Sequence, residues 1–226
     1  MPRVIVFDLI GTLLDLQAMD PHFDRFFGDA AVRKEWFTQT LQLAMAAVLT
    51  NAYEDFGVQA DTGLEITARH YKVSMLGEEK NLILSTLSKL RPYPEVAESL
   101  QQLRDAGLRL AVLTNSTAQA AEAQLTYAGL GDHFEQVIST DEIHCFKPAP
   151  EVYHLAARRL SVEPDQIRLV AAHDWDVTGA LRAGCAATFV SRPGQVMNPF
   201  GPQPDVRGAD LGEAAKKILA VELEQG

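Results

Sequence analysis

The sequence predicts an α/β fold: a doubly wound parallel sheet carrying an inserted helical cap domain. Three observations carry this expectation. Short continuous apolar runs, of the kind buried on both faces of a sheet, recur along the chain. From about residue 92 they alternate with helical patterns, the order of strands joined by crossover helices. Between the first run and the others lies a stretch, Leu16 to Lys89, with little strand character.

Val4-Ile5-Val6-Phe7 is the first run, β-branched and aromatic; it stops at Asp8, and Gly11-Thr12 signal a turn. Helical periodicity follows over Phe37–Phe56 and Leu82–Leu90, and Arg91-Pro92-Tyr93-Pro94 then breaks the chain. Helix is predicted over Val96–Ala106, strand over Leu108–Leu113, helix over Ala118–Ala128 and strand over Phe134–Ile138. Pro150–Leu160 reads as helix, Ile167–Ala172 as strand, Val177–Ala183 as helix and Ala186–Val190 as strand. Leu211–Leu223 closes as an amphipathic helix, with Glu222 and Glu224 on its solvated face. The division that follows is a core of residues 1–15 and 92–226 with a helical cap of residues 16–91.

A chain of 226 residues suffices for one core with a smaller insert. The net charge of −10 argues against nucleic acid or an anionic membrane as partner, but leaves room for a small anionic substrate in a locally basic site. Two cysteines, Cys145 and Cys185, are too few for a disulfide scaffold and fit a cytoplasmic location. Arg3 is followed by only four apolar residues, too few for a secretory signal, and no run approaches a membrane span.

Ligands of open α/β sheets sit at the carboxyl ends of strands. The polar groups expected there are Asp8 and Thr12, then Thr114-Asn115-Ser116, Lys147, and His173-Asp174-Trp175-Asp176. A carboxylate nucleophile, a cation beside it and a second carboxylate to accept a proton would thus converge on one cleft. Each residue also has a plain structural reading. Asp8 suits a turn before glycine, Thr114, Asn115 and Asp176 suit helix caps, and Trp175 and Tyr153 suit packing. It is their joint occurrence at strand ends that favours chemistry.

Four segments sharpen this. Asp8-Leu9-Ile10-Gly11-Thr12-Leu13 resembles the first motif of the haloacid dehalogenase superfamily, and Leu113-Thr114-Asn115 its second. Lys147-Pro148 with Pro150 resembles its third, and Asp176-Val177-Thr178-Gly179-Ala180 its fourth. They occur in order over residues 3–195. The resemblance implies a Rossmann-like core with a cap, and Asp8 as a covalent nucleophile. Phosphatases of this superfamily carry a second acid two residues after the nucleophile, where this chain has Ile10. They also carry an early acid in the fourth motif, where this chain has Val170-Ala171-Ala172-His173. Magnesium is therefore not expected, and no other cofactor; it would be needed only if the chain were a phosphatase.

The metal-free 2-haloacid and haloacetate dehalogenases match better, sharing the Trp175-Asp176 pair and a Tyr six residues after Lys147, here Tyr153. The resemblance implies displacement of halide by Asp8, then hydrolysis of the aspartyl ester. Thr114, Lys147 and the main-chain N–H groups at Leu9, Ile10 and Asn115 would hold the substrate carboxylate. Asp176 would take a proton from water oriented by His173, with Tyr153 and Trp175 beside the substrate. Three departures stand out: His173 replaces an Asn, Ala171 replaces a Ser, and alignment through Trp36, Tyr53 and Phe56 places Ala47 where these enzymes have a halide-binding Arg. Neutral donors (Asn115, His173, the Trp175 indole) are the candidates to replace it. Such enzymes are often homodimers through the cap. The rival readings are a phosphate-monoester hydrolase and an inactive binding protein of the same fold.

Overall fold

The structure is a computed structural model and describes residues 3–223. Six parallel strands form one sheet in the order β3-β2-β1-β4-β5-β6. They are β1 (Val4–Phe7), β2 (Leu110–Thr114), β3 (Gln136–Ser139), β4 (Ile167–Ala171), β5 (Ala186–Val190) and β6 (Val206–Gly208). The central strand carries the alternation that a two-faced sheet demands: Ile5 and Phe7 join one apolar cluster, Val4 and Val6 the other. The strand order reverses between β2 and β4 on either side of β1, so the cleft opens at the carboxyl end of β1, where Asp8 stands.

Four α-helices precede the second strand's crossover: α1 (Asp20–Phe27), α2 (Val32–Thr50), α3 (Phe56–His70) and α4 (Gly77–Ser85). The core helices are α5 (Val96–Asp105), α6 (Ala118–Ala128), α7 (Pro150–Leu160), α8 (Asp174–Arg182) and α9 (Leu211–Leu223). The apolar cluster on the Phe7 face runs on without a break into Phe23, Trp36, Phe56 and Leu64 of the insert. Both chain crossings into the insert lie side by side. Asp15 N–H donates to Arg91 O (2.8 Å), Tyr93 N–H donates to Leu13 O (3.1 Å), and Leu14 bridges Pro92 antiparallel.

Three expectations need correction, and one strand went unseen in the sequence. The helical stripe expected over Phe37–Phe56 is interrupted: Asn51 takes a left-handed conformation (φ 52°) that ends α2, and Asp55 caps α3 by accepting from the N–H groups of Gly57 and Val58. Strand β6, with Arg207 at its centre, offers no apolar run to detect. Helix α8 begins at Asp174, three residues early, so Asp176 sits inside its first turn and does not cap it. Glu222 is not solvated: it is buried and accepts from Arg168 Nε at 2.7 Å and Arg3 N–H at 3.0 Å. Burial alone would raise its pKa, but the contacts with Arg3 and Arg168 bring it below the ordinary value. Glu224 lies outside the described residues.

Candidate active site

Each strand end delivers one component. Asp8 leaves β1 with its carboxylate almost wholly enclosed. Lys147 lies in the loop before α7, buried, with Nζ 2.7 Å from Asp8 Oδ1 and 2.7 Å from Asp176 Oδ2. One ammonium therefore serves two carboxylates that would otherwise repel each other. Burial would raise the Asp8 pKa, but Lys147 and His173 outweigh it and hold the carboxyl well below the usual carboxylate range. Asp176 goes the other way: burial raises its pKa, Lys147 opposes that, and the charge of Asp8 adds to the rise. Lys147 is kept charged, the two carboxylates overcoming the burial that would lower its pKa.

Thr12 and His173 close on the second oxygen of Asp8. Thr12 Oγ1 donates to Asp8 Oδ2 at 2.6 Å and accepts from Ala172 N–H at 2.9 Å. His173 Nδ1 lies 3.0 Å from the same Oδ2. Its ring packs over Gly11, whose positive φ (81°) and missing side chain permit the approach; a Cβ there would come within 3.0 Å of the imidazole. Trp175 stacks on the ring, with centroids 5.1 Å apart.

Asn115 accepts Lys147 N–H at 3.0 Å through Oδ1, which leaves its NH₂ group without a partner among the described residues. The N–H groups of Leu9, Ile10 and Asn115 likewise donate to no group among the described residues. Each is free to donate to an anion. Thr114 ends β2, buried, its hydroxyl accepting from Ser116 N–H at 3.2 Å.

The residues named from the sequence thus gather, with three reassignments. Tyr153 does not face a substrate: it is fully buried behind Asp176, donating to Oδ1 at 2.7 Å. His173 stands on Asp8, and its imidazole makes no hydrogen bond to Asp176. Ala47 does not border the cavity that His173 borders. A cavity of about 760 Å³ lies between α2 and the strand ends, bounded by Gly11, Phe37, Leu41, His173 and Trp175, and Ala47 lines a different cavity with Tyr53 and His144. The insert residue that meets the site is Phe37, its ring 6.0 Å from that of His173. A smaller space of about 260 Å³ adjoins Ile10, Phe56 and Ser116.

Two residues of this neighbourhood escaped the sequence reading. Phe37 belongs to the stripe Arg33-Phe37-Leu41-Met45-Leu49, spaced four apart on α2, all of it on the larger cavity. Arg192, just beyond β5, is buried; its Nε donates to Thr12 O at 3.0 Å and its guanidinium lies 3.7 Å over the Tyr93 ring. Applying the strand-end rule to β5 would have found it.

The chain resembles known hydrolases over most of its length. The family described as haloacid dehalogenase-like hydrolase matches residues 2–184. An (S)-2-haloacid dehalogenase of Pseudomonas sp. (strain YL) is 31% identical over 203 residues, spanning 89% of this chain and 88% of that protein. Haloacetate dehalogenase H-2 of Moraxella sp. (strain B) is 27% identical over 205 residues, spanning 90% and 92%. The structure of L-2-haloacid dehalogenase from Xanthobacter autotrophicus with chloropropionic acid covalently bound superimposes with a TM-score of 0.89, at 25% identity, over 96% of this chain and 98% of that one.

Proposed function

The chain belongs to the haloacid dehalogenase-like hydrolases, and from that premise we propose that it hydrolyses the carbon–halogen bond of short 2-haloacids, haloacetates included, through an ester of Asp8. The observation that carries the reading is the Asp8–Lys147–Asp176 arrangement. A carboxylate held ionised in a nearly dry site is a competent nucleophile, because little hydration must be stripped from it. The curated relatives are named for this reaction on 2-haloacids and haloacetate, and one solved relative holds chloropropionic acid covalently.

In this reading the substrate carboxylate binds Thr114, Lys147 and the free N–H groups of Leu9, Ile10 and Asn115. Asp8 attacks C2 from the side opposite the halogen, forming a C–O bond as the halide leaves with the C–X electrons. Residues 16–91 act as the cap that covers this step. The leaving halide meets neutral donors, the Asn115 NH₂ group and the Trp175 indole N–H, and the α2 side chain that faces His173 is the uncharged Phe37. Water then attacks Asp8 Cγ. Asp176, whose raised pKa suits it to the task, takes the water proton, and Tyr153 and Lys147 hold it in place. The products are a 2-hydroxy acid, halide and a proton. No step requires a metal, because the ammonium of Lys147 supplies the positive charge between the carboxylates.

The partner of this chain is then a small anion. Among the described residues no helix is long and apolar enough to cross a membrane, and both cysteines are free. We place the protein in the cytoplasm and propose that it pairs as a homodimer through the cap. Ion chromatography of halide released from chloro-, bromo- and fluoroacetate and 2-chloropropionate tests the function. Release that survives EDTA and vanishes in Asp8→Asn is expected; a complete lack of halide from these acids would overturn the reading.

A further inference from the structure

The two oxygens of Asp8 are not equivalent. An ionised carboxylate only accepts hydrogen bonds, with two lone-pair sites on each oxygen. Oδ2 has both sites filled, by Thr12 Oγ1 at 2.6 Å and His173 Nδ1 at 3.0 Å. Oδ1 has one donor, Lys147 Nζ at 2.7 Å, and one lone pair to spare. Both groups on Oδ2 must therefore donate. Thr12 Oγ1 accepts from Ala172 N–H through one lone pair, and because the carboxylate can only accept, its single hydrogen points to Asp8. His173 must carry its proton on Nδ1, with the ring clamped between Gly11, Trp175 and Phe37.

We propose that Oδ1 is the oxygen alkylated by substrate, and that Thr12 Oγ1–H and His173 Nδ1–H form the oxyanion hole in which the resulting Asp8 ester is hydrolysed. The proposal rests on the haloacid reading above and assigns His173 a role within it. Once Oδ1 carries the alkyl group, Oδ2 is the ester carbonyl oxygen. Water adds to Cγ, losing one proton to Asp176, and the carbonyl electron pair moves onto Oδ2. The charge there is greatest in the tetrahedral state, so the two donors bind that state more tightly than the ester. Collapse re-forms the Cγ–Oδ2 double bond and breaks Cγ–Oδ1. The departing oxygen takes a proton from Lys147, which recovers it through Asp176. The new Asp8 carboxyl releases its proton to solvent. The first half-reaction gains nothing comparable, because charge then leaves Asp8.

The experiment is rapid-quench halide release from 2-chloropropionate with intact-protein mass spectrometry, on the wild type, His173→Leu, His173→Asn and Thr12→Val. In His173→Leu the first halide per site should appear within about threefold of the wild-type rate. Later turnover should fall on the order of 10²-fold, the usual loss of one such donor, with one propionate adduct accumulating on the protein. Thr12→Val should show the same partition, which covers the case that His173→Leu does not fold. His173→Asn, which restores an N–H donor, should recover turnover and lose the adduct. Equal loss of burst and turnover without an adduct, in a wild type that does release halide, would overturn this assignment alone. A wild type releasing no halide would overturn the parent reading with it.

Discussion

The hydroxyl of Tyr153 donates to Asp176 Oδ1 at 2.7 Å, and neither side chain reaches solvent. That bond favours the ionised form of Asp176, whose pKa burial has already raised. In Tyr153→Phe the pKa should climb further, so the acid limb of steady-state turnover moves to higher pH. At pH 8 the loss should be less than about tenfold, and stability should fall by ~1 kcal/mol, the net value of one hydrogen bond. A pH profile of halide release and a urea titration check both.

Lys147→Met should abolish turnover and leave two buried carboxylates without a counter-charge. Removing one partner of a buried ion pair costs about 3–5 kcal/mol. The loss has a pH signature. Without the ammonium, the Asp8 pKa rises above its unfolded value near ~3.9, so protonation relieves the folded state. The gap between variant and wild type should therefore be wide at pH 7.5 and narrow at pH 4.5, as read from denaturant midpoints.

The opposite shifts of Asp8 and Asp176 separate the two half-reactions by pH. Asp8 stays ionised below the usual carboxylate range, so the first halide release should persist in mild acid. The Asp176 pKa is raised above its ordinary value by burial and by the charge of Asp8, so ester hydrolysis should fail first as pH falls. Quenched mixtures near pH 5 should then contain more alkylated enzyme than those at pH 8. Parallel decline of burst and steady state would contradict the assignment of Asp176 as base.

Phe37→Arg would place a guanidinium at the insert position that meets His173. Turnover of chloro- and bromoacetate should rise about tenfold, part of the ~3 kcal/mol a preorganised donor supplies. Ala47→Arg should change turnover per active site little, since Ala47 borders a different cavity. Active sites are counted from the halide burst.

The sheet was legible because its strands are continuous apolar runs; β1, β5, α6, α7 and α9 fall at the bounds their patterns predict. Asp8, Lys147, Asp176 and His173 were legible because polar residues at such strand ends have no packing reason to be there. What failed was direction and pairing. Composition cannot say that Tyr153 turns inward behind Asp176, or that His173 chooses Asp8. Register within a long helix also resists counting: Phe37 and Ala47 are both buried or half-buried positions on α2, and only tertiary packing decides which meets the His173 ring. Glu222 was misread for the same reason. An acid near a chain end reads as solvated until Arg168, in the middle of β4, is seen to need it.

The paired crossings at Leu13–Asp15 and Arg91–Tyr93 give the insert a single narrow strap. A door hung on two separate straps is locked to its frame; one hung on a single strap turns about one axis. Arg192 grips that frame from behind, through Thr12 O and the face of Tyr93. Phe37 meets His173 from the insert, whereas Asp8 and its donors Thr12, Lys147 and His173 all lie outside residues 16–91.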